Sequence, residues 1–355
     1  MRLRSVRFTA LHSVIIVVVT TFSLAPPAFA QHDEEHEAAG AAVLNTHVFG
    51  NVDLSRQPGE HTSFSLGQLD LFATAQVSER VLFLAETVIE ANDQNEYNVD
   101  LERLLLTFDI NEWLRVGVGR YHTAIGYYNT AYHHGLWFQT AVSRPHVFAF
   151  EDDGGVLPVH DVGVTAEGAI PSGRAGLRWV AQTGNGHGPA GAEPVQTAVD
   201  ADRGKSFNVA LTSRPHPLPG FQTGVSFYRD RFNVLPGVSE TEEIVAAHAV
   251  WIRSPFEWLS EVISMAHRDA GGTRESAPAW YVQGAYQIGR LRPYLRYESL
   301  RHLDGLIGSA ARVSGPSAGL RLELGPSAAI KGQYDHERRE GSRQSRVTGQ
   351  VAFAF

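Results

Sequence analysis

The sequence has no cysteine, only two lysines and, beyond its first thirty residues, no run of eighteen apolar residues. Without cysteine there is no disulfide scaffold, no thiolate metal site and no cysteine nucleophile. Without a long apolar run there is no helix able to cross a bilayer in the body of the chain. A mean hydropathy of −0.16 likewise excludes a polytopic helical membrane protein. The formal charge is −8, which leaves no nucleic-acid footprint. Of 30 cationic side chains only Lys205 and Lys331 are lysine, so arginine supplies nearly all the positive charge.

The first thirty residues read as a secretory leader. Arg2, Arg4 and Arg7 precede the short apolar run 14–24, and Ala28-Phe29-Ala30 has the small-x-small form of a cleavage site. Cleavage after Ala30 removes three arginines and takes the charge from −8 to −11. Residues 31–43 then form a polar segment rich in acids and histidine, with a disordered terminus as its expected state and loose divalent-cation binding as the alternative. The remaining body, 44–355, reads as one domain.

That body alternates. Leu104, Leu106 and Phe108 share one face, with Arg103, Thr107 and Asp109 on the other. Leu291, Leu295 and Tyr297 oppose Arg292, Arg296 and Glu298, and Leu320, Leu322 and Leu324 oppose Arg321 and Glu323. Period-two patterning marks half-buried strands. Sixteen such runs are expected near 44–54, 62–77, 81–91, 98–109, 113–120, 160–170, 174–183, 204–213, 220–229, 243–253, 257–267, 279–288, 291–300, 315–324, 327–336 and 344–355. Short links alternate with longer polar ones near 55–61, 92–97, 121–159, 184–203, 230–242, 268–278, 301–314 and 337–343. An even number of strands with tight turns at one end and long loops at the other is the topology of a transmembrane β-barrel. A closed barrel pairs every backbone group and leaves no edge, as lipid requires. Trp113, Phe256, Trp258, Trp280 and Tyr281 fall near strand ends and are expected at the membrane–water interface.

The chain stops at Val351-Ala352-Phe353-Ala354-Phe355, which resembles the assembly signal of Gram-negative outer-membrane proteins. That resemblance implies export to the outer membrane and folding by the barrel assembly machinery. The longest link carries Gly119-Arg120-Tyr121-His122, then Gly126-Tyr127-Tyr128-Asn129, His133-His134, Arg144 and Glu151-Asp152-Asp153. On these segments the chain resembles the phosphate-selective porins of the O/P type and their uncharacterised relatives. The resemblance implies an all-β fold, a 16-stranded antiparallel transmembrane barrel with a long third loop folded toward the lumen. It also implies a passive channel for small hydrophilic solutes or ions, with anions such as phosphate among them, and a homotrimer in outer-membrane lipid. Those porins carry lysine clusters that this chain lacks.

The residues of the loop support the same placement. Rich in Tyr, His, Asn and Gly with few aliphatics, it reads as a hydrated plug. Arg120, His122, Tyr127, Tyr128, Asn129, His133, His134, Arg144, Glu151, Asp152 and Asp153 are the expected constriction residues. Alternation adds Arg103, Arg115, Arg178, Arg292, Arg296 and Arg321 to the pore lining, since a charge facing lipid at mid-membrane costs about 2–4 kcal/mol. No metal, cofactor or catalytic residue is called for, and the histidines read as polar loop residues. Two other classes stay open, a barrel displaying loops for binding or adhesion and an outer-membrane enzyme, the latter signalled weakly by His160-Asp161 and with no Gly-x-Ser-x-Gly elbow expected.

Overall fold

The computed structural model describes residues 43–355 apart from 60, 92–94, 133–134, 151–154, 187–198, 201–203, 236–237, 302, 305–308 and 311. The leader and residues 31–42 therefore lie outside the described residues, as do His133, His134, Glu151, Asp152 and Asp153. The strands are β1 (Leu44–Arg56), β2 (Ser63–Ser78), β3 (Val81–Ala91), β4 (Tyr97–Asn111), β5 (Leu114–His122), β6 (His160–Ala169), β7 (Leu177–Gly184) and β8 (Ser206–Ser213). They continue with β9 (Phe221–Leu235), β10 (Val238–Arg253), β11 (Phe256–Arg268), β12 (Arg274–Tyr286) and β13 (Leu291–Leu300). After a small hairpin of β14 (Leu303–Asp304) and β15 (Ser309–Ala310) come β16 (Val313–Glu323), β17 (Ala328–Arg339) and β18 (Ser342–Ala354).

Apart from that hairpin, every strand pairs antiparallel with its neighbours in the chain, and β18 pairs with β1 to close a sixteen-stranded barrel. The seam runs from Phe49 opposite Ala354 to Arg56 opposite Val347. The last residue extends it: Val48 N–H donates to the Phe355 carbonyl (2.8 Å), and Phe355 N–H donates to the Val48 carbonyl (3.0 Å).

The barrel is apolar outside and polar within. Leu295 is 61% exposed and its neighbour Arg296 is 1% exposed. Val262 and Val351 face outward, whereas Glu261 and Gln350 are buried. In water this arrangement would waste the hydrophobic effect; in lipid it puts each face in its own solvent. Trp113, Phe256, Trp258 and Trp280 are exposed on the outer face, as expected of interfacial rings. Tyr281 is not among them. It is fully buried, because parity with Trp280 turns it inward, where its hydroxyl donates to Glu261 (2.7 Å).

Strand positions follow the alternation closely, and the exceptions lie at the long-loop end. The links expected at 230–242, 268–278 and 337–343 are largely strand, with β9 reaching Leu235, β10 starting at Val238, and the other two reduced to 269–273 and 340–341. There the outward positions turn polar, as with Arg229 opposite Glu243 (3.8 Å), so the apolar period ends while backbone pairing continues. A second departure follows Gly119. Its φ of +136° and a carbonyl (Leu104 O) only 1.9 Å from where a Cβ would stand break the alternation, and Arg120, Tyr121 and His122 are all packed inside.

The third loop, 123–159, folds into the lumen. The expectation of a purely hydrated plug is corrected here. Ile125, Tyr128, Val147, Phe148 and Leu157 pack against Tyr228, Ile244, Leu259, Ile263, Met265 and Tyr281 in an apolar core inside the barrel. Each such side chain contributes roughly 1.5–3 kcal/mol on burial. The loop's few aliphatics are concentrated where one wall, β9 to β13, turns apolar residues inward.

Candidate functional site

Hydrogen bonds at several points along the described loop hold it to a wider wall, the strands from β7 to β17. At its start Thr123 N–H donates to Val159 O (2.9 Å), which draws the two ends together, and Ala124 N–H donates to Gln182 on β7 (2.8 Å). Tyr127 and Tyr128 N–H then donate to the two oxygens of Glu261 on β11 (2.6 and 2.8 Å). These amides open a single helical turn, Tyr128–Ala131, where N–H groups lack intrahelical acceptors. Further on, Thr140 donates to Glu257 (2.7 Å), Val142 N–H to Gln333 (3.0 Å) and His146 N–H to Glu298 (2.6 Å).

The cations of the wall act on loop carbonyls. Arg296 donates to both Ser143 O and Ser143 Oγ (2.7 Å each). Arg321 donates to Trp137 O and Gln139 O, and Lys331 to Leu136 O (2.5 Å) and Ala141 O (3.1 Å). Charge-assisted bonds of this kind are about twice as strong as neutral ones. Arg292 reaches Thr140 Oγ1 (3.3 Å) and lies 3.6 Å from Glu257. Arg292, Arg296 and Arg321 therefore face the lumen and grip the loop that occupies it.

Within the loop, Arg144 donates to Phe148 O (2.6 Å) and Tyr132 O (2.8 Å) and stacks over Tyr128 and Phe150. Asn129 donates to Thr123 O (2.9 Å). Burial raises the phenol pKa of Tyr127 and Tyr128, so both stay neutral. His146 Nε2 is 2.7 Å from Glu337. Burial works against its charge, but the bond to Glu337 and the charges of Glu298 and Glu337 outweigh burial and hold it above the ordinary histidine value.

Across the lumen, the β1–β5 wall and the loop enclose an open gap of about 480 Å³. Asp70, Phe72, Glu86, Arg103 and His122 face Thr130, Trp137 and Phe138 of the loop across it. Arg103 Nε donates to Glu86 (2.5 Å), with His122 3.8 Å from the same carboxylate. Behind them Arg120 donates to Glu102 O (3.0 Å), and His160 lies 2.7 Å from Glu102. Arg115 pairs with Asp109 (2.5 Å) and approaches Glu167 (3.5 Å) near the tight-turn end, where Arg178 is also exposed. On the opposite side Tyr127 borders a second recess of about 540 Å³ with Arg214, His216 and Gln222.

Of the expected residues, Arg103 and His122 line the gap, Arg292, Arg296 and Arg321 hold the loop, and Arg115 and Arg178 belong to neither group. Sequence reasoning passed over Asp70, Glu86, Glu257 and Glu261, and placed Glu298 inward without giving it a role. Their signal was parity: Glu257 and Glu261 alternate with Phe256, Trp258 and Val262 as the arginines do with leucines. The enzyme signals separate. His160 is paired with Glu102, whereas Asp161 accepts from Ser206 and from Gly186 N–H (3.1 Å). Gly315-Pro316-Ser317-Ala318-Gly319 matches the Gly-x-Ser-x-Gly pattern, but it runs within β16 and not on a strand-to-helix turn, and Ser317 donates directly to Asp335 (2.5 Å).

The barrel has solved counterparts. The anion-selective porin from Comamonas acidovorans superposes with a TM-score of 0.64 at 9% identity, over 88% of this chain and 100% of that one. The chain has the porin fold. The outer membrane channel DcaP of Acinetobacter baumannii gives 0.61 at 12% identity, over 90% and 99% of the two chains. A trimer form of the outer membrane protein OmpT of Vibrio cholerae gives 0.60 at 9% identity, over 89% and 100%. No protein-family model matches the chain, and no curated protein matches it in sequence. The porin fold is shared here with almost none of the sequence, because alternation and closure are all that lipid demands.

Proposed function

We propose that the protein is a passive diffusion channel of the bacterial outer membrane, exported by its leader and carrying small hydrophilic solutes or ions. The observation behind this reading is the third loop, fixed at several points to one wall so that a gap remains on the other. A plug meant to seal the barrel would meet both walls; this one leaves a gap of about 480 Å³ on the β1–β5 side, lined by Arg103, Glu86 and His122. The chemistry needs no catalytic group. The OmpT trimer supports assembly as a homotrimer in outer-membrane lipid.

Anion preference, phosphate included, is the finer question. The guanidinium at the gap is paired with Glu86, and Asp70 adds a second carboxylate, so the gap itself does not favour anions. Folded protein in planar bilayers is expected to show discrete conductance steps in KCl. Reversal potentials in a KCl gradient, repeated in potassium phosphate, then give ion preference. Folded barrels without conductance would refute the channel reading.

A further inference from the structure

One side of the gap is a cluster of rings. Phe49 and Phe138 lie 4.9 Å apart, Trp137 is 5.3 Å from Phe138, and Phe72 completes the lining. A volume of about 480 Å³ lies within the range of pockets that hold small organic molecules, roughly 300–1,000 Å³.

The other side is acidic. Asp70 is 0% exposed, and neither of its carboxylate oxygens accepts a hydrogen bond among the described residues. Glu86 stands beside it and is already joined to Arg103. A buried carboxylate without donors is costly, and a bound cation would relieve that cost. Aromatic faces also attract cations. The gap shows this internally, since the Arg103 guanidinium lies over the Phe72 ring, 5.3 Å from its centroid. Rings and carboxylates therefore select the same guest.

We propose that this gap is a binding subsite for small organic cations with an apolar body, the ammonium head directed to Asp70 and Glu86 and the body lying against Phe49, Trp137 and Phe138. The proposal rests on the channel reading and names the solute class for the same site. The head group exchanges hydration for two carboxylates, and the body covers rings that otherwise face water.

The test uses folded full-length barrels and two probes of similar shape, benzyltrimethylammonium and benzenesulfonate. In planar bilayers the cation is expected to reduce KCl current in a saturable way, with the sulfonate without comparable effect. Asp70→Asn is expected to raise the half-blocking cation concentration about tenfold. Phe138→Ala, on the loop and away from the buried carboxylates, is expected to raise it about two- to fivefold. Equal block by both probes, or cation block unchanged in both variants, would overturn the proposal, and so would conducting channels with no cation block. Titration of the same probes against tryptophan fluorescence in detergent reads the subsite without conduction. Saturable cation binding there by a barrel that does not conduct would remove the channel reading and keep the subsite; no binding would remove the subsite as well.

Discussion

Glu261 accepts from two loop amides and from Tyr281 at once, so its loss is felt at three buried donors. Unsatisfied buried groups cost about 1–3 kcal/mol each, and Glu261→Ala is expected to lower the urea midpoint of unfolding and to expose the third loop to protease. Glu261→Gln keeps the volume and one acceptor oxygen, so a smaller shift is expected. Arg296→Ala removes a buried cation that faces Glu298 and two Ser143 acceptors; breaking such a pair costs about 3–5 kcal/mol, read as a lower unfolding midpoint and noisier open-channel current. His146 carries a pH dependence. Its value is raised in the folded chain, so its contribution is complete below the ordinary histidine pKa and is lost as pH rises through the raised one. Glu298, Glu337 and Arg296 are the charged groups that bear on it. Current noise from loop motion is expected to increase across that alkaline step, and His146→Gln is expected to abolish the step.

At the scale of the element, the third loop and the strand before it are set by one backbone position. Gly119 lies at φ +136° with a carbonyl where a Cβ would be, and after it Arg120, Tyr121 and His122 are all packed inside while the strand pairing continues. Gly119→Ala is expected to destabilise the barrel by more than 1 kcal/mol, since a side chain there is both strained and in collision. Heat-modifiable gel mobility and the urea midpoint would report it; an unshifted variant would show that the strand can pair without the break. Strand positions were legible because alternation is a local property of the chain. The bend at Gly119 was not, because nothing in a Gly-Arg-aromatic segment states its φ. The outer hairpins of β9–β10 and β17–β18 escaped for a related reason: outside lipid, paired backbone no longer needs apolar neighbours.

For the whole molecule, one property follows from closure. The chain end pairs with Val48 at the seam, so removal of Phe355 deletes two backbone hydrogen bonds there. Slower or lower-yield folding into lipid vesicles is expected, measured by the heat-modifiable fraction over time. Subunit exchange by differently tagged copies, followed by cross-linking, tests the homotrimer, with monomers alone counting against it.

By itself the sequence determined the barrel: sixteen alternating runs, links of alternating length, and charges placed opposite leucines so that only the inside could receive them. These follow from rules that act residue by residue, the pleat of a strand and the solvent on each side of it. Only the tertiary structure decided what the inward charges do. Alternation says that Arg296 and Arg321 point into the lumen, and closure of the barrel brings them to the carbonyls of a loop more than 150 residues away in the chain. The same closure sets Asp70 and Glu86 opposite Phe138, partners on separate strands and a loop that no spacing along the chain relates. Arg292, Arg296 and Arg321 thus serve as an anchorage, and on the other side of the lumen Arg103 is paired with Glu86 among carboxylates and rings.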